Sequence, residues 1–306
     1  MSTSTSPPRM SPEPVAKKKR WLLAAKALVS FGLLGYMVSR LHWDDLRALP
    51  ASTPLLLLVA LVLNLSALAM MAGRWRLLIE AATGISVPYR HLLRHYLTGS
   101  FYNNLLPGAI GGDLVRTKRL IDRHGVPGRI AIKITFFERL VGLCGIVILA
   151  GASLPFARIP AGWSRIADRN LLLWASASIA TACVVAIVLL LRTLRHRPMG
   201  ASSLVSVMLL VVLAQLTDAA IVWLFLHAMA IAIAPGGLVF SVCTAYLASM
   251  IPISLGGLGV KEGTLAALLA VNGVPAGSAL LVPLMLTLTR LMTGTVGAVT
   301  EIGTHR

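Results

Sequence analysis

Six apolar runs, each about the 20 residues a helix needs to cross a bilayer, divide the chain. They are Trp21–Ser39, Thr53–Gly73, Ile134–Leu154, Leu171–Leu191, Leu204–Ile233 and Ala276–Val299. Backbone inside lipid must satisfy its own hydrogen bonds, so such runs are predicted helices. This feature alone makes the expected fold class an all-α integral membrane protein. The composition agrees: 57% of the 306 residues are apolar and 13% are charged, against about 25% charged in soluble domains. The Leu204–Ile233 run is longer than one crossing requires and is expected to tilt or break. Two further apolar stretches, Leu92–Ile110 and Leu238–Val271, are shorter and interrupted.

The net charge of +17 would raise nucleic acid as a partner in a soluble protein. Here the basic residues cluster between apolar runs, so no nucleic acid is expected. Topology and anionic lipid head groups account for them. "KKKR" precedes the first run, "RTKRLIDRHG" begins at Arg116, and "RTLRHR" follows the fourth run. The excess of positive charge on the inner side then puts both termini and these loops in the cytoplasm, with the chain in the inner (cytoplasmic) membrane. Residues 1–20 are rich in Ser, Thr and Pro and read as a disordered basic tail. Residues 21–303 read as a single transmembrane domain. The Trp21–Val38 run is long for a signal peptide and lacks a small-residue cleavage site, so it is expected to remain as the first helix. Cys144, Cys183 and Cys243 lie in apolar runs without metal-like spacing, and no disulfide framework is expected.

Basic segments flank Leu92–Ile110 on both sides, so both its ends are expected on the cytoplasmic face. A re-entrant hairpin satisfies that condition and a single crossing does not. The same count puts both ends of Leu238–Val271 outside. The expected architecture is about six transmembrane helices plus two opposed re-entrant hairpins.

Each interrupted stretch carries the same pattern. "NNLLPGAIGGDLVR" begins at Asn103 and "PISLGGLGVKEG" at Pro252. A shift of 145 (252 − 107) lays Pro107 on Pro252, Gly111 and Gly112 on Gly256 and Gly257, and Arg116 on Lys261. "ERLVG" and "TRLMT" match at a slightly different offset and make Arg139 and Arg290 counterparts. The halves, about 53–155 and 204–300, form an inverted repeat. In secondary transporters such repeats use interrupted helices to build a site near the midplane. Pro ends a half-helix, adjacent Gly permit close backbone approach, and amides at a helix start followed by a basic residue attract anions. Each motif therefore reads as half of a site for an anionic group, phosphate suiting it best. The competing reading is that the Gly pairs serve helix packing. Their duplication with Pro and a basic residue at fixed offsets favours the site.

Ionisable residues within spans are costly and default to functional or paired roles. Glu138, Arg139, Asp218 and Arg290 are such residues. Asp218 and Arg290 are expected to pair, either structurally or as part of the path. Asp113 and Glu262 either cap the helices that start beside them or contact a cationic moiety. With Asn103, Asn104, Pro107, Gly111, Gly112, Arg116, Pro252, Gly256, Gly257 and Lys261 they complete the candidate substrate site. His91 and His95 stand at i, i+4 without an evident third ligand, so no metal is expected. Trp21, Trp43, Trp75 and Trp163 fall near predicted span ends, as interfacial anchors do. No nucleotide-binding or hydrolase motif is found, so no catalytic residue and no cofactor is expected.

Together, "FYNNLLPGAIGGDLVR", "FFERLVGL" and "PISLGGLGVKEG" resemble the lysylphosphatidylglycerol synthase transmembrane (flippase-like) family over roughly residues 20–300. The resemblance implies a membrane domain that moves lipid between leaflets. In the multiple peptide resistance factors this domain is joined to a cytosolic aminoacyltransferase, which is not expected in this chain. The function expected is translocation of a phospholipid or other lipid with an anionic head group, driven downhill or by an ion. One alternative is a membrane subunit that supports a separate lipid-modifying or glycosyltransferase enzyme as its partner. The other is a membrane-embedded enzyme acting on a lipid phosphate.

Overall fold

The computed structural model describes residues 13–47, 49–105, 111–158, 169–193, 201–251 and 253–302. Among these, the chain forms eleven α-helices, one 3₁₀ turn at Leu154–Phe156 and no strand. The helices are α1 (Glu13–Ser39), α2 (Trp43–Arg47), α3 (Thr53–Thr83), α4 (Tyr89–Leu105), α5 (Gly111–His124), α6 (Gly128–Ser153), α7 (Arg169–Thr193), α8 (Ala201–Ala228), α9 (Pro235–Ser249), α10 (Val260–Val271) and α11 (Ala276–Ile302). α3, α6, α8 and α11 are each long and apolar enough to cross a membrane. α1 and α7 carry shorter apolar stretches, Ala24–Ser39 and Trp174–Val185, among the described residues. Large apolar side chains such as Phe31, Leu58, Ile132, Phe136, Val205 and Val299 face outward, as lipid-facing surfaces require.

Two helix boundaries depart from the sequence reading. α1 begins at Glu13, so residues 13–20 of the expected disordered tail are helical; residues 1–12 lie outside the described residues. Pro14 is compatible with a first helical turn, and Ala16 and Lys17–Arg20 are good helix formers. α3 continues past the predicted end at Gly73 to Thr83, where Gly84 (φ 72°) caps it. The buried face of Trp75, Leu78 and Ile79 carries the helix beyond its basic residues. The overlong run from Leu204 does break: α8 stops at Ala228, Ala230 has φ 56°, and Pro235 opens α9.

The repeat is visible helix by helix. Adding 145 to the bounds of α3, α4, α5 and α6 gives 198–228, 234–250, 256–269 and 273–298. Those ranges overlay α8, α9, α10 and α11. Packing follows the same rule: α3 packs on α8, α4 packs on α11, and α9 packs on α6. The counterpart helices α3 and α8 run in opposite directions. Ala60, early in α3, clusters with Ile221, Val222 and Phe225, late in α8. Trp75 and Leu78, late in α3, cluster with Val207 and Val211, early in α8. The two halves are therefore inverted. Each half contributes two long helices and a short pair, and α7, between them in the chain, packs on α6.

The short helices pair antiparallel. In α4/α5, His95 meets His124, Thr98 meets Arg119, and Asn103 meets Gly112. In α9/α10, Ser241 meets Asn272 and Tyr246 meets Lys261. α4 and α5 touch through their backbones at Gly99 and Gly112: a Cβ on Gly99 would lie 3.3 Å from the Gly112 carbonyl oxygen. Close approach of small residues supplies packing where lipid removes the hydrophobic drive between helices. Pro107 and Pro252 lie outside the described residues.

Candidate functional site

The first half gathers five charged side chains from three helices. α5 presents Asp113 and Arg116 one turn apart, α6 presents Glu138 and Arg139, and α3 presents Arg74. Arg116 Nη2 lies 2.9 Å from Asp113 Oδ1 and 2.7 Å from Glu138 Oε2, and Arg116 Nε donates to Asp113 Oδ1 at 3.0 Å. Arg74 Nη2 donates to Glu138 Oε1 at 2.9 Å, and Arg139 pairs with Asp113. Arg74, Asp113, Arg116 and Glu138 are all buried. Three guanidinium groups face two carboxylates, which leaves the cluster at +1. The Arg116 guanidinium also lies 4.4 Å from the Tyr96 ring centre and 5.0 Å from that of Trp75. Such cation–π contacts are worth about 2 kcal/mol when desolvated.

A cavity of about 100 Å³ opens on this cluster and is lined by Tyr96, Asn103, Gly112, Asp113 and Arg116 beside Leu68 and Met71. Arg116 Nη1 and the Tyr96 hydroxyl are buried and have no hydrogen-bond partner among the described residues. Orphaned donors of this kind carry a desolvation cost of about 1–3 kcal/mol each, which a ligand oxygen would relieve.

The second half builds a matching but neutral cluster. Arg290 of α11 donates to Asp218 of α8 at 3.1 Å, and the Tyr246 hydroxyl donates to the same Asp218 oxygen at 2.5 Å. The Arg290 guanidinium sits 4.9 Å from the Tyr246 ring centre, and Lys261 Nζ sits 5.9 Å from it. Lys261 pairs with Glu262 at 3.1 Å. Glu262 Oε1 also accepts from Thr287 Oγ1 at 2.6 Å, while Oε2 accepts the Gly259 amide at 2.6 Å. The signs are exchanged between the halves: α3 brings an Arg to the α6 carboxylate, and α8 brings an Asp to the α11 guanidinium.

The predicted residues thus divide into two groups. Asp113, Arg116, Glu138 and Arg139 meet in one cluster, and Asp218, Lys261, Glu262 and Arg290 meet in the other. Asn103 and Asn104 pin the hairpin: Asn103 Oδ1 accepts the Gly112 amide at 2.9 Å, and Asn104 Nδ2 donates to the Arg290 carbonyl at 3.2 Å. Gly111 is buried at the start of α5. Gly256 (φ 60°) and Gly257 (φ 83°) turn the chain into α10. One feature of the anion reading is corrected. The Gly112 amide of the first motif is taken by Asn103 and is not free for a ligand, while Glu262 accepts the Gly259 amide and so caps α10, one of the two roles expected of it. Trp75 is also corrected: it is fully buried under Arg116 and is no interfacial anchor. Trp163 lies outside the described residues. Arg74, Tyr96 and Tyr246 were not foreseen. Arg74 continues the buried face of α3 past the end of its apolar run, whereas Tyr96 and Tyr246 lie within the interrupted stretches Leu92–Ile110 and Leu238–Val271.

The Asp218–Arg290 pair is partly buried, with side chains 16% and 28% exposed. Asp218→Asn and Arg290→Gln are each expected to destabilise by about 1–3 kcal/mol, after discounting for that exposure. The double variant should lose at least about 0.5 kcal/mol less than the sum, the signature of contacting residues. Thermal unfolding of the four proteins in detergent checks this; strictly additive losses would show that the pair does not couple.

A family model described as the lysylphosphatidylglycerol synthase TM region matches residues 23–297. A UPF0104 membrane protein of Methanothermobacter thermautotrophicus is 31% identical over 116 residues, which cover 38% of this chain and 32% of that protein. The aligned stretch thus spans about a third of that relative's length.

Proposed function

The chain belongs to the lysylphosphatidylglycerol synthase transmembrane family, and from that premise we propose that it is a translocase moving a lipid with an anionic head group between leaflets. The observation that carries this reading is the cavity beside Asp113 and Arg116. It combines a net positive cluster with a buried guanidinium nitrogen and a buried hydroxyl that have no partner among the described residues. A phosphate oxygen accepts from both donors and balances the excess charge.

The inverted packing of α3 on α8 supports alternation between two access states. In each half a short antiparallel pair rests on a long helix of the other half, so the halves can rock about a shared seam. In this reading α4/α5 and α9/α10 are re-entrant hairpins that enter from the cytoplasm and the exterior respectively. α1, α3, α6, α7, α8 and α11 are the six crossings, and both termini lie in the cytoplasm. Arg116 holds the phosphate, while Lys261 and Arg290 on the Tyr246 ring receive the head group in the opposite state.

Purified protein reconstituted in liposomes is expected to move fluorescently tagged phosphatidylglycerol across the bilayer at least about tenfold faster than protein-free liposomes. Lys261→Ala should slow it by about tenfold, the loss of one charge-assisted contact. Wild-type protein that moves no anionic lipid, while an added enzyme fraction gains activity from it, would replace this reading with that of a supporting subunit.

A further inference from the structure

Where α4 begins and α5 ends, a second cavity of about 140 Å³ is lined by His91, Arg94, His95, Arg119, Arg123 and His124. That is several times the space one water needs. None of these residues belongs to the two charged clusters above. Every lining side chain is cationic or an imidazole, and no carboxylate lines the cavity. The acid that approaches it is Glu301 of α11, already held by Arg119 at 2.5 Å and by Thr98 at 3.2 Å. Arg94 and Arg123 have no ion-pair partner among the described residues.

The imidazoles are packed together. His95 is 3% exposed, its Nε2 lies 3.3 Å from His124 Nε2, and its Nδ1 has no partner among the described residues. The His91 and His124 ring centres are 5.6 Å apart. Burial, then His124, Arg119, Arg123 and His91, push His95 down to about 3, and burial also lowers His124. Burial and the surrounding positive charge therefore favour the neutral forms of His95 and His124.

We propose that this cavity binds a phosphate-class oxyanion, presented as a lipid head group or as free phosphate. Arg94, Arg119 and Arg123 hold its charge, and His91, His95 and His124 donate hydrogen bonds to its oxygens. Guanidinium groups match the geometry of such an anion and gain from its charge. A bound anion offsets the positive field that favours neutral His95 and His124, so binding takes up protons there and strengthens as pH falls. Three arginines oppose a divalent cation here, and the described residues contain no group of three or more side chains suited to a metal. The proposal does not rest on the transport reading, because an anion can bind here whether or not lipid crosses the bilayer.

The test titrates the full chain in a maltoside detergent, which contains no phosphate, by calorimetry. One arm adds inorganic phosphate at fixed ionic strength, and the other adds phosphatidic acid in mixed micelles. Saturable binding in both arms identifies free phosphate as sufficient; binding in the lipid arm alone identifies the head group. Arg94→Gln/Arg123→Gln, at two exposed positions, should weaken binding at least about tenfold, the size of one lost charge-assisted hydrogen bond, with the unliganded melting temperature unchanged. Absence of binding in both arms, equal binding by the variant, or a response to Zn²⁺ alone would overturn the site. Sulfate, whose charge is constant between pH 8 and 6, should bind more tightly as pH falls over that range. A flat profile would overturn the part given to the histidines.

Discussion

Arg116→Ala is expected to abolish translocation and to destabilise the protein by about 3–5 kcal/mol, the cost of breaking a buried ion pair from one side. Glu138 is 1% exposed and divides its two oxygens between Arg74 and Arg116. Without Arg116 one oxygen is left buried without a cation. Asp113 keeps Arg139, so the loss falls mainly on Glu138 and on the Tyr96 and Trp75 rings. Stability and transport can be separated. Arg116→Ala/Glu138→Gln removes both members of the pair and should recover part of the melting temperature, because the stranded carboxylate is gone while Arg74 keeps an amide oxygen to donate to in place of its counter-ion. Transport should stay absent, since the donors facing the cavity have not returned. Arg116→Lys keeps one charge but cannot span Asp113 and Glu138 together, and intermediate transport is expected. A double variant that regains transport along with stability would reduce Arg116 to a structural role.

Gly112→Val is expected to be nearly as damaging, through backbone contact alone. A Cβ at Gly112 would overlap the Gly99 carbonyl and the Asn103 side chain. Neither obstacle yields easily: the first is helical backbone, and the second is held by the Gly112 amide. α4 and α5 must separate, which costs about 1–3 kcal/mol for overpacking. The Asn103 bond is lost as well, worth about 1 kcal/mol. The cavity wall moves with the helices, so transport should fall by more than stability alone explains. Gly263→Ala is the matched control. A Cβ there meets nothing within 4 Å, and Ala is preferred over Gly in a helix by about 1 kcal/mol. That variant should keep or gain stability. Melting curves and flip rates of the two variants check the contrast, and an unperturbed Gly112→Val would show that the helices do not rely on this contact.

Much of this organisation was legible in the sequence because it depends on local properties. Run length and hydropathy report how a segment meets lipid, so the long helices and the broken stretches could be placed from residue order alone. The duplicated Gly-Gly-x-x-Val-basic pattern marked both hairpins, and a shift of 145 set the repeat. The Asp218–Arg290 pair followed from the cost of leaving either charge alone in a span. Arg74 escaped notice because an Arg after an apolar run usually marks a membrane boundary. Here α3 continues to Thr83, so Arg74 faces Glu138 inside the bundle. Trp75 was misplaced for the same reason.

The motif amides show the same division. The first Gly pair suggested a free donor at Gly112, but Asn103 folds back onto that amide; Glu262 caps α10 through the Gly259 amide, one of the two roles its position offered. Residue order determined the helices, their inversion and which residues are charged. Tertiary structure decided that Arg116 bridges Asp113 and Glu138 under Tyr96, and that three histidines crowd among arginines at the end of α4/α5. Hydropathy acts within one segment, whereas a charge finds its partner across helices far apart in the chain. That choice is set by helix rotation and by approach distances of a few ångströms, which no single segment encodes.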